Sequence, residues 1–222
     1  MPILTAETQC FPADLLSSLV ELPAETVELP AETKVDSGAG DACGVGAGSS
    51  VCNASELVSD VKDRNWWVMH TKPRQEKSLA RDLLAREIPF YLPQVHKTSV
   101  VRGRKQTSYI PLFSSYVFVF ADEFERHTSM TTNRIAHLIR VADPRELTRQ
   151  LFSISRLVAA GAPLTIESRL KEGDHVRVKG GALAGVEGTV VARRRKCRLI
   201  VAVNLIQQGV SIEIDDHLLE PL

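Results

Sequence analysis

The chain of 222 residues has room for one or two domains of ordinary size. It contains no apolar run of about eighteen residues, which excludes an ordinary membrane-spanning helix, and no basic start followed by an apolar run, so no secretory signal is expected. The formal net charge of zero hides a split: residues 1–62 hold ten acidic residues against two lysines, net −8, and the remainder carries +8. A basic body raises the expectation of a nucleic-acid or nucleoprotein partner. The acidic segment either competes for that basic surface or only solubilises the chain.

Residues 1–62 have a single aromatic, Phe11, and a repeated Glu-Leu-Pro-Ala-Glu-Thr unit at Glu21 and Glu28. A proline in each unit blocks a continuous helix, and the Gly- and Ser-rich run from Ser37 to Ser50 cannot bury enough apolar surface to offset its ordering entropy. A disordered tail is expected over 1–62, with a transient helix near Asp14–Leu22. The cysteines Cys10, Cys43, Cys52 and Cys197 show no C-x-x-C spacing. Neither a disulfide framework nor a zinc site is expected, and a reducing, cytoplasmic setting fits.

Order is predicted to begin at Trp66–Thr71, an aromatic-rich strand. Pro73 suits the first turn of a helix running to about Glu87, with Leu79, Ala80, Leu83 and Leu84 on its apolar face and an Asp82–Arg86 pair on the other. Phe90–Val101 and Gln106–Phe113 read as a hairpin with the basic tip Arg102-Gly103-Arg104-Lys105. Tyr116–Phe120 is a strand too apolar for exposure on either face. A short helix near Glu123–Met130 leads to strand Ile135–Val141. At Asp143-Pro144-Arg145-Glu146 an Asp cap, a first-turn Pro and a Glu able to reach back start a helix. Leu147, Leu151, Ile154 and Val158 give that helix one packing face, and Gly161-Ala162-Pro163 stops it.

The pattern changes after a linker at 164–170. Short strands at His175–Lys179, Glu187–Arg193, Arg198–Leu205 and Val210–Ile214, with a fifth at Leu218–Leu219, predict a small β-barrel. The fold class is therefore α+β: an α/β sandwich on an antiparallel sheet over 63–163, then a barrel over 171–222.

Two regions carry a family resemblance. Gly173–Val191, with apolar alternation, a glycine turn and Gly188 before the next strand, resembles a KOW motif. Trp66-Trp67-Val68-Met69, a basic helix, Val101-Arg102-Gly103-Arg104-Lys105 and Pro111-Leu112-Phe113-Ser114-Ser115-Tyr116-Val117-Phe118-Val119 resemble the NusG N-terminal domain. In series over residues 64–222 they identify the chain as similar to the NusG group of transcription factors. Ser114-Ser115 replaces the usual Pro-Gly, and Leu205–Ile212 lacks the usual Phe-Gly-Arg stretch. These departures make the chain more similar to specialised RfaH-like paralogs than to housekeeping members. RfaH stores its C-terminal domain as a helical hairpin, whereas the β-branched runs Val186–Val191 and Leu199–Val203 favour a barrel here.

The resemblance implies a transcription elongation or antitermination factor, without enzymatic activity, cofactor or metal, and a monomer. Its first domain would dock on the clamp helices of the largest RNA polymerase subunit through Trp67, Tyr109, Leu112, Phe113, Tyr116 and Phe118. Thr131, Thr132 and Asn133, with His127 nearby, would meet the facing lobe. Lys72, Arg74, Arg102, Arg104 and Lys105 would contact phosphates of upstream or non-template DNA, giving salt-dependent affinity without sequence choice. In the barrel, Leu183 and the basic tip Arg193, Arg194 and Arg195 would meet a partner, a small-subunit ribosomal protein or Rho. Because strand residues alternate between faces, roughly half of the apolar list is expected in the core. The motifs leave two other readings open, a KOW-type RNA-binding or ribosome-associated protein and a chromatin-like scaffold using the acidic tail. The six histidines have no ligand spacing, and no P-loop, dinucleotide fingerprint or nucleophile elbow is present.

Overall fold

The computed structural model describes residues 8–21, 64–101, 104–161, 164–167, 173–193, 196–215 and 218–222. In chain order the elements begin with β1 (Cys10–Phe11), α1 (Leu15–Glu21), β2 (Asn65–Thr71), α2 (Glu76–Leu84), β3 (Phe90–Tyr91), β4 (Gln94–Val101) and β5 (Arg104–Pro111). They continue with β6 (Tyr116–Ala121), α3 (Glu123–Met130), β7 (Ile135–Arg140), α4 (Pro144–Ala159) and β8 (Thr165–Glu167). The C-terminal strands are β9 (Asp174–Val178), β10 (Glu187–Arg193), β11 (Lys196–Val203), β12 (Gln208–Ile214) and β13 (Leu219–Pro221), with a 3-10 turn at Asn204–Ile206. Among the described residues no helix is long and apolar enough to cross a membrane.

A five-stranded antiparallel sheet in the order β1-β3-β6-β2-β7 organises the first part. Alternation along its strands sorts the apolar residues onto two faces. Met69, Phe90, Val117, Val119 and Ala121 join Leu79, Ala80 and Leu83 of α2 in one buried cluster. Trp66, Val68, Tyr91, Phe118 and Phe120 join Leu147, Leu151, Ile154 and Leu157 of α4 in the other. Each fully buried leucine contributes about 1.5–3 kcal/mol, so both helices are held by packing rather than propensity. Trp66 Nε1 donates to Thr148 Oγ1 at 2.9 Å, which pins α4 across β2.

The start of α4 follows the expected chemistry in part. Asp143 Oδ1 accepts from the backbone N–H of Arg145 and Glu146 at 3.0 and 2.9 Å. Glu146 does not reach back to the cap; its carboxylate accepts from Gln150 Nε2 and Asn204 Nδ2 instead. At α3, Asp122 and Glu125 form a reciprocal capping box that the pattern of the sequence left unread. Asp82 pairs with Arg134 at 2.6 Å rather than with Arg86, because the fold brings the fork of a fixed guanidinium to it.

Several boundaries differ from expectation. The Phe90–Val101 stretch is broken at Leu92-Pro93: Phe90 and Tyr91 stay in the main sheet, while β4 and β5 leave it as a separate two-stranded hairpin. Pro93 has no N–H to extend the ladder, and its carbonyl accepts from Leu112 N at 2.8 Å to close the hairpin root. The helix expected from Pro73 starts only at Glu76, after a turn in which Gln75 N donates to Lys72 O. The linker contributes β8, whose Thr165–Glu167 pairs with Gly209–Ser211 of β12.

The disorder expected over 1–62 does not hold for residues 8–21. Cys10 and Phe11 pair with Tyr91 and Phe90 at the β3 edge, and α1 lies on α4 with Leu15 and Leu16 buried. Composition read this stretch as a tail because its apolar partners lie in β3 and α4, far away in the chain. The remainder of the expected tail, 1–7 and 22–62, lies outside the described residues.

The C-terminal strands form one antiparallel sheet in the order β13-β9-β10-β11-β12-β8. Gly173 and Gly188 are needed for close approach: an added Cβ would sit 2.2 Å from Val190 O and 2.5 Å from Ile200 O, respectively. This sheet rests on the outer side of α4. Asn204 N and Nδ2 donate to Gln150 Oε1 and Glu146 Oε1 at 3.2 and 2.8 Å, and Val176, Val201 and Ile206 belong to the α4-side cluster.

Candidate functional site

The turn before β6 is the local feature in which the sequence departs from its expected pattern. Ser115 adopts φ +66°, a left-handed conformation that costs a non-glycine residue roughly 1–2 kcal/mol. Its N–H donates to Glu76 Oε1 at 2.8 Å, and its carbonyl accepts from Thr71 N at 2.8 Å. Glu76 is buried at the start of α2. Serine therefore holds the place expected for glycine because a buried carboxylate and the end of β2 grip its backbone.

The same end of the sheet joins two groups that the sequence assigned to different ligands. Lys72 Nζ donates to Asn133 O and Oδ1 at 2.7 and 3.0 Å, tying the stretch after β2 to the end of α3. Asn133 itself has φ +55°, and Arg134 continues the contact by binding Asp82 and Gln75 Oε1. Lys72, Arg74, Thr131 and Asn133 are exposed, Thr132 is half-buried, and His127 is exposed on α3. Thr131 and Thr132 turn their hydroxyls onto the Thr128 and Ser129 carbonyls, closing the helix end.

The aromatic list divides among different surroundings. Leu112 and Phe113 are 1% exposed and Phe118 is 0% exposed, with the Phe113 and Phe118 rings edge to face at 6.1 Å. Tyr116 is half-buried in a row across β6, β2 and β7, its ring 5.1 Å from His70, which lies 5.9 Å from His137. Tyr109 is half-buried in the hairpin opposite His96. Trp67 lies on the α2 side, away from Phe118. Its indole N–H donates to Ala121 O, and the Arg126 guanidinium stacks 5.2 Å from its ring centre. Arg126 also binds Glu123 and holds that carboxyl below its usual range.

Arg104 and Lys105 are exposed at the hairpin tip, seven residue steps, on the order of 20 Å, from the root at Gln94 and Pro111. Arg102 lies outside the described residues. In the C-terminal sheet, Leu183 is half-buried in the loop after β9 and belongs to the α4-side cluster. The adjacent Ala182 carbonyl accepts from Arg156 of α4 at 3.5 Å. Arg193 ends β10 opposite Lys196, and Arg194 and Arg195 lie outside the described residues. Among the described residues no three His, Cys, Asp or Glu side chains converge as a metal-binding group.

Sequence reasoning missed Gln94 and the docking of residues 8–21 as a strap on the domain, although the helix expected near Asp14–Leu22 is present as α1. The Gln94 side chain is 1% exposed, and neither of its amide atoms has a hydrogen-bond partner. Cys10 faces Tyr91, and burial pushes its thiol from 9.0 up to about 11 while also raising the Tyr91 phenol. The pairs Cys10-Phe11 and Leu15-Leu16 were the available signal, an apolar strand and helix face inside an otherwise polar segment.

Comparison with known proteins places these elements. Residues 64–170 match the family model described as transcription termination factor nusG. The structure of Thermotoga maritima NusG, solved in a study of its domain interaction, is similar at 15% identity and a TM-score of 0.40, covering 72% of this chain and 98% of that one. The MjSpt4:Spt5 complex is similar at 14% identity and a TM-score of 0.25, covering 71% and 96%. At these scores the structural likeness carries no argument, and the similarity rests on the family model, which matches a stretch from the approach to β2 through β8, just under half of the chain.

Proposed function

We propose that the chain is a transcription elongation or antitermination factor that binds RNA polymerase through its NusG domain and recruits a further partner through its C-terminal sheet, read as a KOW barrel. The family match over 64–170 carries this reading. Support comes from the glycine-punctuated Gly173–Val191 segment, which runs through β9 and β10 directly behind the domain. The clamp helices of the largest polymerase subunit are the proposed docking target, with Tyr109, Tyr116 and the Leu112-Phe113 turn as the apolar face. Aromatic residues suit such a face because they bury a large area with few rotors to freeze.

The end of α3 with Lys72 and Asn133 is proposed to meet the facing polymerase lobe as one unit. Arg104 and Lys105 are proposed to touch upstream or non-template DNA phosphates. Such contacts give affinity that falls with salt and carry no sequence choice. The Leu183 loop and the Arg193 tip are assigned to the barrel partner, a small-subunit ribosomal protein or Rho. Ser114-Ser115 and Leu205–Ile212 favour a specialised, RfaH-like role. The factor is proposed to act in the cytoplasm as a monomer, without catalysis of its own.

Binding of core RNA polymerase by the full chain at low salt tests the reading. Saturable binding that weakens with salt supports it, and absence of binding removes it. The basic hairpin tips favour one second reading, a KOW-type RNA-binding or ribosome-associated protein, which co-sedimentation with ribosomes without polymerase association would select.

A further inference from the structure

Leu112 and Phe113 of the proposed docking face are closed off, together with Phe118, in the same continuous cluster as Leu15 and Leu16 of α1. The junction is built around Gln9. Its carbonyl accepts from Leu92 N at 2.6 Å, and its side-chain oxygen accepts from Gln94 N at 3.2 Å. Pro93, between these two residues, accepts from Leu112 N at 2.8 Å. The start of the strap is thus gripped by the two residues that flank the anchor of the aromatic turn.

We infer that residues 8–21 are a cover in cis over the polymerase-docking face, which docking displaces; this rests on the function proposed above. Three observations carry it. First, β1 is an edge strand of two residues, so its departure leaves the order β3-β6-β2-β7 intact. Second, α1 has seven residues, too short to persist as an isolated helix, so it is held by its packing on α4 and in the cluster that it shares with Leu112, Phe113 and Phe118. Third, Gln94 is buried at the junction with both amide atoms unpartnered, a burial that works against the closed state. Opening gives that amide access to water or to a partner's polar groups.

The cover is itself a helix on an apolar face, and the proposed clamp helices would take its place. Because residues 22–63 join the strap to the domain, its return is intramolecular, and the closed fraction sets how much polymerase affinity is reduced. Cys10 gives a direct readout of opening, since a half-buried thiol with a raised pKa alkylates slowly until exposed.

The experiment compares the full chain with L15D/L16D and with Q94L, reading Cys10 alkylation by peptide mapping and affinity for core RNA polymerase. L15D/L16D is expected to raise Cys10 labelling and to tighten polymerase binding about tenfold or more. Q94L removes the buried unpartnered amide and is expected to shift both readouts in the opposite direction, which keeps the test decisive if the double variant folds poorly. Equal polymerase affinity in all three, with labelling changed, overturns the cover and leaves the proposed function standing. Failure of every form to bind polymerase overturns both.

Discussion

The two faces of the five-stranded sheet are closed in different ways. The α2 side is covered by a helix that follows β2 directly in the chain, and its cluster draws on β2, α2, β3, β6, β7 and the neighbouring Ile88 and Leu92, with Phe11 at its flank. The α4 side is assembled from α1, α4 and the C-terminal sheet, three pieces separated by long stretches of sequence. The first face is a local core. The second is a surface onto which other parts of the chain have been laid, and parts laid on can also leave.

The largest effects separate permanent from removable packing. Leu83→Ala on α2 is expected to cost about 2–5 kcal/mol of global stability by urea denaturation, because the site is fully enclosed. Leu16→Ala should move the global midpoint far less, appearing instead as faster amide exchange confined to residues 8–21. A loss as large as that of Leu83→Ala would make α1 part of the cooperative core. Thr148→Val asks the same question of α4. It leaves the buried Trp66 N–H without its acceptor and should cost about 1–3 kcal/mol in the same denaturation experiment. A negligible cost would class α4 with the removable pieces.

Ser115→Gly is predicted to stabilise the protein by up to about 1 kcal/mol, measured as a rise in melting temperature, because it relieves the left-handed strain while keeping the N–H that Glu76 accepts. The smallest effect is a pH dependence. The closed strap holds the Cys10 proton more tightly than free thiol does, so this contribution to closure is complete below pH 9.0 and is lost as pH rises through about 11. Amide exchange of residues 8–21 should accelerate over that window in the wild-type chain and change less in Cys10→Ser.

Much of the domain was legible because its signals are local. The Asp143-Pro144 start of α4, the apolar spacing of Leu79 and Leu83, and the alternation in β2 and β6 each state their structure within a few residues. What stayed hidden depends on distant partners. Asp82 chose Arg134 over Arg86, Glu76 found the Ser115 backbone, and Leu15 and Leu16 found the α4 side of the sheet. The docking list showed the same limit: Phe118 and Trp67 are both aromatic strand residues, yet parity puts them on opposite faces, and only the pairing register reveals it.

Hydrogen exchange of the full chain, alone and bound to core RNA polymerase, tests the displacement most directly. Residues 9–21 and the Leu92 and Gln94 amides are expected to lose protection in the complex while Leu112–Tyr116 gain it. Retained protection of residues 9–21 in a saturated complex would contradict the displacement.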